Sequence, residues 1–255
     1  MKKLGQHFLI NYSILDRLVE YASVSRDDVV LEVGAGTGEL TWRLARKACK
    51  VIAVEIDERL TLEASKKLSI YDNVELIRGD ILKLRENIKG FNKVVSNPPY
   101  QISTKLMHWL IMNLPEKIVL TLQKEFAQKI TSTPGSRKYV YTSFLANLFY
   151  KSQIVEEVPR SFFKPMPKVD SSIIIMERIN NEIVVREEEL NIIKLLFTQR
   201  TRKLRKALSS VAATTQLNHK EIEEVLPSEL LNERVYHLEP AKLCEIAKRL
   251  LNLRD

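Results

Sequence analysis

Val29-Val30-Leu31-Glu32-Val33 is an apolar run of strand length that leads straight into Gly34-Ala35-Gly36-Thr37-Gly38. A helical pattern through Leu40, Leu44 and Ala48 follows. Strand, glycine-rich turn and helix, in that order, open an α/β sheet that binds a nucleotide, because glycines let backbone N–H groups approach a ligand closely. The next strand, Val51-Ile52-Ala53-Val54-Glu55, ends in an acid about 20 residues after the glycines, placed to bond a pair of ribose hydroxyls. The alternation continues with helix 58–68, strand 74–78, a strand ending at Ser96, helix 103–112, strand 117–123 and helix 124–131. The predicted fold is α/β, a Rossmann-like sheet flanked by helices.

The glycine spacing narrows the ligand. A dinucleotide fingerprint is G-x-G-x-x-G, whereas the third glycine here comes one residue early. No phosphate-directed lysine follows, which removes the P-loop. Glu32, two residues before the first glycine, would repel a pyrophosphate but welcome a cationic amine. The pattern resembles the cofactor loop of class I S-adenosylmethionine methyltransferases. A NAD site and a tight turn without ligand are the alternatives.

Two further strand ends carry polar groups. Asp80 follows Val74-Glu75-Leu76-Ile77-Arg78-Gly79, where ligands gather in an open sheet, and could accept an adenine amine or simply cap its turn. Val94-Val95-Ser96 runs into Asn97-Pro98-Pro99-Tyr100. The prolines end the strand and stiffen the backbone, leaving the Asn97 carboxamide oxygen and the Pro98 carbonyl free to accept from one donor pair. Tyr100 adds a flat ring for stacking. Two acceptors and a ring suit the exocyclic NH2 of a nucleobase; a plain Pro-Pro turn is the alternative.

Further on, Tyr139 to Tyr150 reads as a buried helix, and strands near 151–158 and 170–179 flank a proline-rich loop, 159–168. Phe162 and Phe163 on that loop offer one ring to clamp a base against Tyr100 and another to anchor the loop. Asn180-Asn181-Glu182 marks the expected boundary between residues 1–180 and a small all-α domain, 181–255. There, Arg200, Arg202, Lys203, Arg205 and Lys206 place five bases within seven residues and no acid among them. An unmixed run of this kind is a phosphate-contact candidate. The formal charge of +8 agrees with a polyanionic partner. Cys49 and Cys244 fit neither a disulfide framework nor a zinc site, so buried free thiols in a reducing compartment are expected. No metal is called for. No apolar run approaches membrane-spanning length and no leader is evident, so a cytoplasmic location is expected.

Together these segments resemble the ribosomal RNA adenine dimethyltransferases. The resemblance is carried by Leu4-Gly5-Gln6-His7-Phe8-Leu9, Leu31 to Gly36, Glu55-Ile56-Asp57, Gly79-Asp80, Asn97 to Tyr100, Leu122 to Glu125, Val158-Pro159 with Ser161, Phe163 and Pro165, Pro167 to Ser171 and Phe197 to Arg200. It implies methyl transfer from S-adenosylmethionine to N6 of adjacent adenines near the 3′ end of small-subunit ribosomal RNA, by a monomer acting on a pre-ribosomal particle. It implies that His7 and Leu9 border the methionine end of the cofactor, with Gly34 and Gly36 beneath it and Asn97 alongside. Glu55 would hold the ribose, and Asp80 and Ile81 the adenine. Asn97, Pro98 and Tyr100 would hold the target amine, with Phe163 as a second aromatic wall. The chain departs from the family spelling at Pro98, where Leu is usual, which moves the motif toward DNA adenine methyltransferases. Tyr139-Val140-Tyr141 stands where the family has Tyr-Gly-Arg. A DNA adenine methyltransferase and an assembly factor with secondary methylation are the rival functions.

Overall fold

The computed structural model describes residues 7–180, 183–215 and 219–253, so Leu4-Gly5-Gln6 and Asn181-Glu182 lie outside the described residues. The chain divides into two compact units. One runs up to Gln128 and resumes at Tyr150–Ile179; the other joins Lys129–Phe149 to the chain from Asn180 onward. The sequence boundary near 180 left residues 129–149 with the sheet. Packing assigns them to the helices because the rings of Tyr139, Tyr141 and Phe144 gather around Phe197, with centroids at 5.6, 6.1 and 5.9 Å.

The first unit is built on β2 (Val29–Val33), β3 (Lys50–Glu55), β4 (Val74–Arg78), β5 (Lys93–Ser96), β6 (Lys117–Gln123), β7 (Tyr150–Val158) and β9 (Ser171–Arg178). They form one seven-stranded sheet in the order β4-β3-β2-β5-β6-β9-β7. The pairs from β4 to β6 are parallel, and β9 and β7 close the edge antiparallel. A separate two-stranded ribbon pairs β1 (Phe8–Leu9) with β8 (Phe163–Lys164). Strand order reverses between β2 and β5, so a crevice opens beyond their carboxyl ends. Their register sets Leu31 against Val94, which brings Gly34 and Asn97 out of the sheet at the same level.

Helix α1 (Tyr12–Ala22) covers the sheet by its apolar stripe of Ile14, Leu15, Leu18, Val19 and Ala22. Each large side chain so buried contributes about 1.5–3 kcal/mol. The Asn11 side chain accepts the Ser13 N–H and caps the helix, as its residue type predicts. At the amino end of β2, Asp28 accepts from Lys93 Nζ at 2.9 Å, Ser25 N at 2.6 Å and Asn92 Nδ2 at 2.8 Å. Burial works against its charge, but Lys93, Ser25 and Asn92 outweigh it and hold the carboxyl down at about 2.

The second unit contains α-helices Tyr141–Phe149, Glu187–Thr198, Leu204–Thr215, His219–Glu224, Ser228–Asn232 and Pro240–Leu251. Helix Pro240–Leu251 buries Leu243, Ile246, Ala247, Leu250 and Leu251 and starts on a proline after Glu239. The basic stretch begins in the turn after Thr198 and runs into helix Leu204–Thr215. Leu204 N bonds Glu233 O and Val235 N bonds Arg202 O there, which diverts the backbone from helical bonding. Cys49 is exposed rather than buried, in the turn before β3; both thiols are free. Among the described residues no helix is long and apolar enough to cross a membrane, and no His/Cys/Asp/Glu cluster could hold a metal.

Candidate active site

Three adjoining chambers occupy the crevice at the strand ends. The first, about 390 Å³, is lined by His7, Gly36, Glu55, Asn97, Pro98 and Tyr100 among others. The second, about 550 Å³, shares Gly34, Glu55 and Pro99 with it and continues to Asp80, Ile81 and Ile102. A third, under the glycine turn, adds Leu9, Glu32 and Leu40 to Gly34, Gly36 and Asn97. The crevice lies where small-molecule sites are found in open α/β sheets.

The glycine turn is folded tightly over the end of β3, with Gly34 N and Ala35 N both bonding Val54 O, at 2.7 and 3.1 Å. Gly34 has φ 83°, and a Cβ there would meet Pro99 Cδ at 3.2 Å. Gly36, at φ 58°, brings its N–H to Glu55 Oε2 at 2.8 Å. Glu55 Oε1 accepts Asp57 N, also at 2.8 Å, so the acid at the strand end is locked by backbone on both sides. Glu32, inside β2, is 2% exposed and its Oε2 has no hydrogen-bond partner among the described residues. Burial, with the nearby Glu55 charge adding to it, pushes its carboxyl up to about 8.

At the Asn97 end the side chain is oriented by the N-terminal segment. Asn97 Nδ2 donates to His7 O at 3.3 Å, and a carbonyl can only accept, so Oδ1 is turned the other way. That oxygen is buried and unpartnered among the described residues. The Pro98 carbonyl accepts no hydrogen bond among them either. Ser96 Oγ bonds Val33 O at 2.5 Å and ties β5 to β2 just below. His7 is held in turn by its Nδ1 on Pro165 O at 2.6 Å, and its ring stacks on Tyr100 at 5.7 Å and 29°. Leu9 is buried and carried on the β1–β8 ribbon.

Asp80 caps the short helix Ile81–Leu84 by accepting Leu82 N at 2.9 Å, and it also lines the second chamber. Both roles weighed from sequence are therefore compatible with its position. Ile81 is buried at the chamber wall. The Phe163 ring does not line any of the three chambers. It is 2% exposed, belongs to the core and meets Tyr100 edge-on at 6.4 Å and 66°. In this conformation it backs Tyr100 and offers no open face, because its residue pairs with Leu9 in the ribbon. Arg200, Arg202, Lys203, Arg205 and Lys206 lie in the second unit, in the turn before Leu204 and the first turn of helix Leu204–Thr215. Arg200 is half-buried and the other four are exposed; Arg202, Lys203 and Lys206 enter no ion pair among the described residues.

Sequence reasoning assigned no binding role to Phe8, Ile56 or Ile102, all of which line the crevice, and read Pro99 only as a stiffener of the backbone. Ile56 had a usable signal: a large apolar residue directly after the strand-end acid, 44% exposed in the structure. Phe8 had none beyond its neighbours.

A sheet of five parallel strands closed by an antiparallel pair, with a glycine turn and an acid on consecutive strand ends, defines a class I methyltransferase fold. The family described as ribosomal RNA adenine dimethylase matches residues 1–250, and the chain belongs to that family. It is 38% identical over 253 residues to a probable ribosomal RNA small subunit methyltransferase A of Methanosarcina mazei, covering 98% of this chain and 93% of the relative. A protein of the same description from Pyrococcus abyssi is 37% identical over 250 residues, covering 97% and 91%. Among solved structures, a dimethyladenosine transferase from Plasmodium falciparum superposes with a TM-score of 0.81 at 29% identity, over 97% of this chain and 98% of that one. The 23S rRNA methyltransferase ErmE gives 0.66 at 28% identity, over 95% and 99%.

Proposed function

We propose that this protein transfers methyl groups from S-adenosylmethionine to the exocyclic N6 of adenines in small-subunit ribosomal RNA, two adjacent adenines near the 3′ end. The observation that carries this reading is the pair of unmet acceptors, Asn97 Oδ1 and the Pro98 carbonyl, beside the Tyr100 ring in one chamber. Buried acceptors are ordinarily satisfied, so a pair left open in a crevice is set aside for a ligand's donors. An adenine amine brings two N–H groups on a planar ring and meets that demand.

The cofactor fits the rest of the crevice. A side chain at Gly34 would press on Pro99, so the turn leaves space only without one. The unpartnered Glu32 oxygen suits an ammonium group, and the anchored Glu55 carboxylate suits ribose hydroxyls. Asp80, Ile81, Ile56 and Ile102 form a largely apolar slot with one acid, suited to an adenine. His7, Leu9, Gly36 and Asn97 border the methionine end. When bound, the sulfonium supplies an electrophilic methyl group, so no nucleophilic side chain is required. Asn97 Oδ1 and the Pro98 carbonyl accept hydrogen bonds from the amine, draw its lone pair out of conjugation with the ring and stabilise the positive charge developing on nitrogen as the methyl's bond to sulfur breaks; the surplus proton then leaves to solvent. Tyr100 supplies the stacking face, at about 1–3 kcal/mol, that offsets the cost of unstacking the base. Phe163 holds Tyr100 from behind. An amine that already carries one methyl keeps one N–H for the same acceptors, which permits a second transfer.

The unmixed cations of Arg200, Arg202, Lys203, Arg205 and Lys206 supply phosphate contacts. Arg205 and Lys206 lie in the first turn of a helix, where the helix dipole disfavours cations, so their placement serves a ligand better than it serves the helix. The protein acts as a cytoplasmic monomer on an immature ribosomal particle. Incubation with immature small subunits and labelled S-adenosylmethionine, followed by mass spectrometry of RNA fragments, tests the reading: dimethyladenine at adjacent positions supports it. Methylation of duplex DNA and not of the subunit would favour the second reading, to which the Asn97-Pro98-Pro99-Tyr100 spelling points.

A further inference from the structure

Tyr100 is tied to the sheet by its hydroxyl. Its Oη lies 2.5 Å from Ser171 Oγ. Ser171 is fully buried and is the first residue of β9, in register with Gln123 of β6 on one side and Val158 of β7 on the other. The carbonyl just before it, Asp170 O, accepts Lys124 N at 3.0 Å. Ser171 Oγ is therefore a fixed point on the scaffold. Tyr100 itself begins a single 3-10 turn, Tyr100–Ile102, and no side chain caps that turn. Its ring also stacks on His7 and meets the edge of Phe163, and neither contact reaches the hydroxyl end as a hydrogen bond does.

We propose that Ser171 is a positioning residue for methyl transfer: its hydroxyl pins the Tyr100 ring at the angle that presents a stacked adenine's amine to Asn97 Oδ1 and the Pro98 carbonyl. The inference rests on the function proposed above and adds a residue outside the crevice to it. Burial pushes the Tyr100 phenol up to about 12, so the hydroxyl keeps its proton and the bond persists across the working pH range. The sensitivity of near-attack geometry to small displacements gives the bond its leverage over rate.

The test compares wild type, Ser171→Ala, Ser171→Thr, Tyr100→Phe and the Ser171→Ala/Tyr100→Phe double variant. Single-turnover methyl transfer to immature small subunits is measured alongside calorimetric affinity for S-adenosylmethionine. Each single loss of the bond is expected to slow transfer about tenfold with cofactor affinity within about twofold of wild type. The double variant is expected to be no slower than either single one, and Ser171→Thr, which keeps a hydroxyl, to recover most of the rate. Wild-type turnover in Tyr100→Phe, or losses that multiply in the double variant, would overturn the proposal. Tyr100→Phe removes one oxygen and reads the bond even where a Ser171 variant folds poorly. Crystal structures of wild type and Tyr100→Phe provide a readout independent of turnover: a displaced or doubled ring supports the proposal, and an unmoved ring overturns it. A wild type inactive on ribosomal RNA would count against the function above, with ring position still deciding this inference.

Discussion

The two ends of strand β2 treat buried carboxylates in opposite ways. At the amino end Asp28 is saturated by Lys93, Ser25 and Asn92, and its carboxyl is held at about 2. At the carboxyl end Glu32 keeps an oxygen unpartnered and is pushed up to about 8, one strand away from the equally unpartnered Asn97 Oδ1. Along this one strand the carboxylate away from the crevice is satisfied, and the one beside the crevice keeps an open oxygen.

The largest expected effect breaks the comparison at that end. Asn97→Ala should lower single-turnover transfer by about 10²–10³-fold while calorimetric affinity for the cofactor stays near wild type. A similar loss in affinity would show that the amide serves the cofactor and not the target. Next comes the amino end. Lys93→Met leaves the buried Asp28 charge without its cation and should cost about 3 kcal/mol, a fall in melting temperature of about 6–12 °C, with transfer per folded molecule unchanged. Glu55→Ala should weaken cofactor binding by about 10–100-fold in calorimetry, the value of charge-assisted bonds to a ligand's hydroxyls.

Smaller effects sharpen the contrast through pH. Glu32 holds its proton to about pH 8 in the fold, whereas in the unfolded chain it gives it up near its ordinary value of 4.5. The unfolded state therefore releases the proton first, and Glu32 lowers the stability of the ligand-free protein progressively from about pH 4.5 to 8 and no further above that. Asp28 has the opposite sign: its contribution is full above its ordinary 3.8 and is lost as pH falls through about 2. Melting curves against pH should show Glu32→Gln flattening the loss between pH 5 and 8 while leaving the acid limb in place. The smallest effect belongs to the second unit. Lys206→Ala should reduce the slope of log affinity for ribosomal RNA against log salt by about 1, without altering cofactor binding.

Much of the scaffold was legible before the structure. The strands Val29–Val33, Val74–Arg78 and Lys117–Gln123 and the helices Glu58–Leu68 and Ser103–Met112 fall where apolar period and turn residues put them. The crevice residues at the strand ends were legible for the same reason, because an open α/β sheet places its loops on one side. What could not be read was long-range. Phe8–Leu9 and Phe163–Lys164 are two-residue strands far apart in the chain, and nothing local announces their pairing. That pairing decides which of Phe162 and Phe163 is buried, and so why Phe163 backs Tyr100. The Ser171 bond to Tyr100 is hidden likewise, since a serine at the start of a strand has no periodicity of its own. The helix at 141–149 read correctly as buried, but its partner, Phe197, lies some fifty residues further along.

The link from His7 O to Asn97 Nδ2 has a consequence for engineering the N-terminus. A carboxamide looks nearly the same to its surroundings when rotated end for end, yet the rotation exchanges an acceptor for a donor. Among the described residues it is the backbone carbonyl of His7 that biases that choice. A leading segment shifted so that the His7 carbonyl withdraws would leave Asn97 and Pro98 in place and still let the amide turn its NH2 toward an incoming amine, two donors facing each other. Such an enzyme would look intact in composition and fold, and would repel the amine proposed to bind there.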